Sequence, residues 1–231
     1  MTIILAIPTK DGLILASDGQ ITSGEIRTYG KKIKKLNNNC VWGAAGRESL
    51  TQRVEEKLNN LSNKERPLKE IRDELAKIVK DSVIDLLRLD GQPPQEDFVL
   101  AECRENPCIL HITPSGTPEW IKTGPFGIGI GRPFVHALLE KYHGLIPDEI
   151  DMEKGILLAF KVIEEAIEVG TYGLGLPIDI WQITKTGAKN LTRNEMDNLK
   201  NRCSELRKLE IELLLKGKDE NSASPKNQTS S

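Results

Sequence analysis

The chain has 231 residues, with 32 Lys+Arg against 34 Asp+Glu and a formal net charge of −2. This balance gives no electrostatic reason to bind nucleic acid or an anionic membrane, and 38% hydrophobic with 29% charged residues is a globular rather than a disordered composition. No apolar run approaches the roughly 20 residues of a membrane span, and the N-terminus does not read as a secretory signal.

The first 45 residues read as strand. Thr2 to Ile7 and Leu13 to Ala16 are short apolar runs joined at the Asp11-Gly12 turn. Their near-continuous apolarity predicts a sheet covered on both faces. Lys31 to Leu36 and Cys40 to Ala45 follow, separated by Asn37-Asn38-Asn39, another turn signal. Helix takes over from Arg47 to about Leu61, with Leu50, Val54, Leu58 and Leu61 three or four apart. Pro67 opens a second helix, whose buried stripe is read as Leu68, Ile71, Leu75, Ile78, Val79, Ile84 and Leu87, ending at Gly91-Gln92-Pro93-Pro94.

Strands are expected at Phe98 to Ala101, Cys108 to Ile112, Trp120 to Ile121 and Phe126 to Gly131, the last leading into a helix near Arg132-Pro133. Asp151 is placed to cap a long helix with Ile156, Leu157, Phe160, Ile163 and Ile167 inward. A last hairpin, Pro177 to Thr184 with Ala188 to Leu191, precedes a terminal helix over about Arg193 to Leu215. The order ββ–αα–ββ–αα–ββ–α predicts an α+β fold of two packed sheets with helix pairs outside. It is read as one domain over residues 1–216, with a disordered polar tail at 217–231.

Cys40, Cys103, Cys108 and Cys203 form no Cys-x-x-Cys pair, and His111, His136 and His143 show no ligand spacing. Free thiols, a reducing cytoplasmic setting and no metal or other cofactor are therefore expected. Gly127-x-Gly129-x-Gly131 lacks the spacing of a dinucleotide loop and reads as small residues for close strand–helix packing. Lys34, Lys35 and Glu164-Glu165 read as solvated faces, and Trp42, Trp120, Trp181 and Tyr172 as core or interface aromatics.

One residue near the start bears on chemistry. Trimming of Met1 would leave Thr2 with a free α-amine, and such a threonine holds nucleophile and general base in one residue. Asp18 lies in Ser17-Asp18-Gly19-Gln20-Ile21-Thr22 after the second strand, Lys32 in Gly30-Lys31-Lys32, and Gly46 in Trp42-Gly43-Ala44-Ala45-Gly46. Taken singly, Asp18 also reads as a turn residue, Lys32 as a solvated lysine and Gly46 as a plain helix start.

Taken together, this succession resembles the proteasome β-subunits. It is closer still to HslV, the proteasome-like peptidase of the bacterial ATP-dependent two-component protease. The resemblance is strong over Thr2 to Gly46 and follows element order up to about Leu191. It implies an N-terminal nucleophile hydrolase fold, the four-layer αββα sandwich, and a threonine peptidase whose catalytic set is Thr2, Asp18, Lys32 and Gly46. It further implies that the backbone at Thr22 pairs with the peptide substrate, and that Ile21, Gly30, Ala44 and Glu48 line the specificity pocket. Glu48 there points to basic residues before the cut. The family works as stacked rings that hide the sites inside a chamber, fed with protein substrates by an ATP-driven unfoldase, which implies a homo-oligomeric ring for this chain.

Two departures stand out. Ile130 in Gly129-Ile130-Gly131 occupies the place of a family Ser that bonds the α-amine, and Thr171 stands where an Asp is expected. Two rival readings follow: a non-catalytic ring subunit of the same fold, or an amidase or transferase acting on a small substrate.

Overall fold

The first two strands, β1 (Ile4–Thr9) and β2 (Gly12–Ser17), form a hairpin whose residues are buried almost throughout. The structure is a computed structural model that describes residues 2–23, 25–92, 95–122, 124–142, 150–169 and 173–216. A short hairpin follows, β3 (Gln20–Ser23) with β4 (Ile26–Tyr29), then β5 (Ile33–Asn37) and β6 (Cys40–Ala45). Helices α1 (Glu48–Asn59) and α2 (Leu68–Asp90) precede β7 (Asp97–Cys103), β8 (Pro107–Ile112), β9 (Pro118–Ile121) and β10 (Phe126–Ile128). Helices α3 (Arg132–Tyr142) and α4 (Met152–Glu168), strands β11 (Asp179–Thr184) and β12 (Gly187–Asn190), and helix α5 (Arg193–Lys216) complete the order.

Two antiparallel sheets result, β10-β1-β2-β11-β12 and β5-β6-β7-β8-β9, with β3-β4 as a separate pair. Strand alternation decides how they are covered. Along β6 and β7, Val41, Val99 and Ala101 join Ile4, Ala6, Leu13 and Leu15 in the core between the sheets. Their neighbours Trp42, Phe98 and Leu100 face the other way and pack with Leu50, Val54, Leu68, Ile71 and Leu75 of α1 and α2. On the first sheet, α4 lies against β1, β2 and β11, and α3 packs on α4. The predicted αββα sandwich is the observed one. Among the described residues, no helix is long and apolar enough to cross a membrane.

The chain divides into two compact units, Met1–Leu191 and Thr192–Ser231. The second contains α5, opened by a capping box: the Thr192 N–H donates to Glu195 Oε2 at 2.6 Å, and the Glu195 N–H to Thr192 Oγ1 at 3.4 Å. The tail read at 217–231 lies outside the described residues.

Several elements differ from the sequence reading. The β3-β4 hairpin went unread because β4 is exposed along its length and carries no apolar alternation. Strand β10 stops at Ile128, since Gly129 turns away at φ +90°. Helix α4 buries Gly155, Ala159, Phe160, Val162, Ile163 and Ala166, whereas Ile156, Leu157 and Ile167 are only half-buried. The cause is a close approach: a Cβ on Gly155 would lie 2.6 Å from Ile14 Cδ1, so small residues let the helix settle on β2. Toward the end of α2, Leu86 is buried and Leu87 exposed. Glu165 is no solvated charge either, because Lys161 donates to it at 3.0 Å from a nearly buried position.

The start of α2 shows how the sheet completes a helix. Pro67 offers no capping side chain. Glu102 of β7, 3% exposed, instead accepts the Leu68 N–H at Oε2 (3.0 Å) and the Arg104 Nε–H at Oε1 (2.9 Å). A carboxylate at a helix N-terminus satisfies an otherwise unpaired N–H and faces the positive end of the helix dipole. Replacing Glu102 by Ala leaves that N–H buried and unmet, so urea unfolding at neutral pH should show a loss of about 1–3 kcal/mol.

Candidate active site

Antiparallel register gathers the ends of five strands at one edge of the sandwich. Pairing of Ile4 with Ser17 sets the start of β1 beside the end of β2, which places Thr2 near Asp18. Pairing of Ile33 with Gly43 brings the residue before β5, Lys32, to the same edge. Pairing of Ala45 with Asp97 brings Gly46 and Glu96 together beyond β6 and β7.

Asp18 is the hub of this edge. Its side chain is fully buried and accepts four hydrogen bonds. Oδ1 takes the Ile3 N–H at 3.0 Å and the Lys32 Nζ–H at 2.7 Å. Oδ2 takes the N–H groups of Gln20 and Gly175, each at 3.2 Å. One oxygen thus joins the residue after Thr2 to the lysine, and the second fixes the loop between β2 and β3. Lys32, 9% exposed, has its pKa lowered by burial, which Asp18 and then Glu48 oppose.

A cleft of about 370 Å³ opens on this edge. Of the residues picked from sequence, Thr2, Lys32, Gly46, Ile21, Thr22, Ala44 and Glu48 line it together. Asp18 lies behind Lys32 rather than in the wall. Gly30 is not in the wall either: a Cβ there would fall 2.5 Å from Ile21 Cδ1, so it sits behind the isoleucine and lets that side chain into its place.

The Gly129-Ile130-Gly131 turn lies against the Thr2 backbone. A Cβ on Gly129 would be 2.2 Å from the Thr2 carbonyl oxygen, and the Gly131 N–H donates to that oxygen at 3.4 Å. Ile130 is 57% exposed there and brings no hydrogen-bonding side chain. Thr171 lies outside the described residues.

The cleft holds groups that the sequence did not single out. Gln20 lines it and donates from Nε2 to Thr22 Oγ1 at 3.2 Å. Lys34, read as a solvated face, is half-buried in the wall, paired with Glu55 and 5.7 Å from the centroid of the Trp42 ring. Arg47 lines the cleft and is held by Glu96. Strand alternation carries a signal for Lys34, since it shares a face with Lys32. Nothing local marks Glu96.

The arrangement offers the Thr2 hydroxyl, a buried cation tied to a buried carboxylate, and a glycine turn ahead of a helix, all at one cleft. A family model for proteasome subunits matches residues 2–176. The chain belongs to the proteasome subunit family. Among curated proteins, none matches. Solved structures agree on the fold. Anbu (ancestral beta-subunit) from Yersinia bercovieri aligns at TM-score 0.73 with 14% identity, over 99% of this chain and 100% of that one. An Anbu Gly-1 mutant from Hyphomicrobium sp. strain MC1 aligns at TM-score 0.69 with 19% identity, over 92% of this chain and 97% of that one.

The Lys32 ammonium should lose its proton below the ordinary lysine value of 10.5, because burial disfavours the charge. Asp18→Asn removes the strongest opposing influence, so the Lys32 pKa should fall further. Nζ-detected NMR across a pH series measures both. An unchanged value in Asp18→Asn would contradict the coupling.

Proposed function

We propose that this chain is a threonine-type peptidase of the proteasome β/HslV kind, with Thr2 as nucleophile once Met1 is removed. The Asp18 carboxylate carries this reading: a single oxygen holds both the Ile3 amide beside Thr2 and the Lys32 ammonium in the cleft wall. Removal of Met1 frees the α-amine. That amine takes the Thr2 hydroxyl proton as Oγ bonds to the substrate carbonyl carbon, and the carbonyl π electrons move to oxygen. Lys32 favours the anionic oxygen of Thr2 through its charge, and Asp18 keeps Lys32 oriented. The Gly46 N–H stabilises the oxyanion. Collapse breaks the C–N bond, and the departing amine leaves with the proton from the α-amine. Water then releases the acyl group by the same steps.

The peptide would lie extended along Thr22, adding a strand by backbone hydrogen bonds. Ile21, Ala44 and Glu48, with Gly30 behind Ile21, would shape the pocket for the side chain before the cut. An exposed peptidase site needs confinement, and closed symmetry is the usual state of soluble homo-oligomers. A homo-oligomeric ring in the cytoplasm, served by an ATP-dependent unfoldase, fits these needs. A second reading, a non-catalytic ring subunit, is favoured by Ile130 in the Ser position.

Incubation with a peptide β-lactone and intact-mass analysis tests the proposal, with an adduct on Thr2 expected. Lys32→Ala should slow labelling about 10²–10³-fold, and residues added ahead of Thr2 should abolish it without unfolding the protein. Ile130→Ser should raise turnover if the missing hydroxyl is a lost accelerator. No adduct in either wild type or Ile130→Ser would favour the non-catalytic subunit. Light scattering should find a particle several times 25.7 kDa, and a clean monomer would count against the ring.

A further inference from the structure

We propose that Glu96 is a positioning residue that sets the oxyanion site at Gly46, an assignment that rests on the peptidase reading above. Glu96 precedes β7, is 1% exposed, and lies directly behind the Gly46 turn. A Cβ built on Gly46 would fall 2.0 Å from Glu96 Cγ and 2.8 Å from Cδ. The glutamate stem therefore fills the space that any side chain at position 46 would need. Gly46 also adopts φ +154°, a conformation that L side chains rarely take.

The carboxylate completes the restraint. Oε1 accepts the Arg47 N–H at 2.8 Å and the Arg47 Nε–H at 3.2 Å. With the Arg47 N–H turned inward to Glu96, the peptide plane joining Gly46 and Arg47 is fixed. The packing at Gly46 Cα and the anchored plane after it leave the Gly46 N–H little freedom to reorient. An oxyanion donor gains its effect from being aimed before the charge develops, so this restraint acts on the chemical step.

Two further features fit positioning rather than fold stability. Glu96 Oε2 is buried with no hydrogen-bond partner among the described residues, a condition that opposes folding. A bare carboxylate behind a developing oxyanion would also repel it, and the Arg47 guanidinium on Oε1 offsets that charge. Arg47 therefore belongs to the device: its backbone is held by Glu96 and its side chain neutralises Glu96.

The test is the labelling of Thr2 by a peptide β-lactone, resolved into kinact and KI, with thermal melting and hydrogen exchange of the Arg47 amide measured in parallel. Glu96→Ala should lower kinact about 10- to 100-fold with KI within about twofold, and should speed Arg47 amide exchange. Glu96→Gln keeps an acceptor for the Arg47 N–H and should recover most of kinact. Unchanged kinact in Glu96→Ala, with wild type labelled at Thr2, overturns the assignment and leaves the peptidase reading standing. A change in KI alone also overturns it. Absence of any Thr2 adduct on wild type defeats the peptidase reading, and the assignment with it. Should Glu96→Ala not fold, Arg47→Ala and the double variant R47A/E96Q decide. Arg47→Ala leaves the carboxylate charge uncompensated and should slow kinact, and adding Glu96→Gln should restore it. No restoration overturns the proposal.

Discussion

The buried Asp18 carboxylate constrains this edge of the molecule more than any other group. Four donors converge on its two oxygens: two from the chain beside Thr2 and from Lys32, two from the loops at Gln20 and Gly175. A carboxylate removed from water is tolerated only when its lone pairs are met, so each donor segment is held where it can reach. The start of β1, the β2–β3 loop, the residue before β5 and the loop before β11 are thereby tied to one point. Lys32 is buried because Asp18 is there to receive it. The direction of its pKa shift shows that burial still outweighs the pairing.

Much of this edge was legible in the sequence for a geometric reason. Thr2, Asp18, Ile21, Thr22, Lys32, Ala44 and Gly46 all lie within or beside the first three hairpins. Tight turns and alternating register fix which strand ends meet. The αββα layering was legible for a similar reason: strands buried on both faces need helices or a second sheet over them. Glu96 was not legible. It is 49 residues from Arg47 in sequence, after a double proline and without local pattern, and only the pairing of Ala45 with Asp97 brings it under Gly46. The β3-β4 hairpin was hidden by its exposure, and the true inner face of α4 by its reliance on Gly155 and alanines rather than on large apolar side chains.

Three cations of the cleft follow one plan. Of Lys31, Lys32, Lys34 and Arg47, which line it, the last three are each met by a carboxylate from outside the wall: Asp18, Glu55 and Glu96. The wall therefore presents three positive groups whose charge is balanced from behind, with Lys31 beside them. Glu48 is the carboxylate on the cleft side, close enough to Lys32 to raise its pKa.

Stability does not explain this concentration of ion pairs, of which Lys32–Asp18 is buried on both sides and Arg47–Glu96 on the carboxylate side. Taking two charges from water costs several kcal/mol per ion, and well-packed apolar pairs of similar volume are often at least as stable. Between the layers, Val41, Val99, Leu100 and Phe98 pack without a charge among them, and the pairs Glu102–Arg104 and Lys161–Glu165 lie elsewhere in the sandwich. What distinguishes the cleft edge is that three cation–carboxylate pairs gather around one opening. Groups held against their solvation preference in a cleft are the usual mark of a functional site. The cost falls on the ends of β1, β5 and β6, while the strand interiors of β1 and β6 behind them are buried. That division, an apolar scaffold bearing a charged edge, is what the proposed role of Thr2 as nucleophile would require.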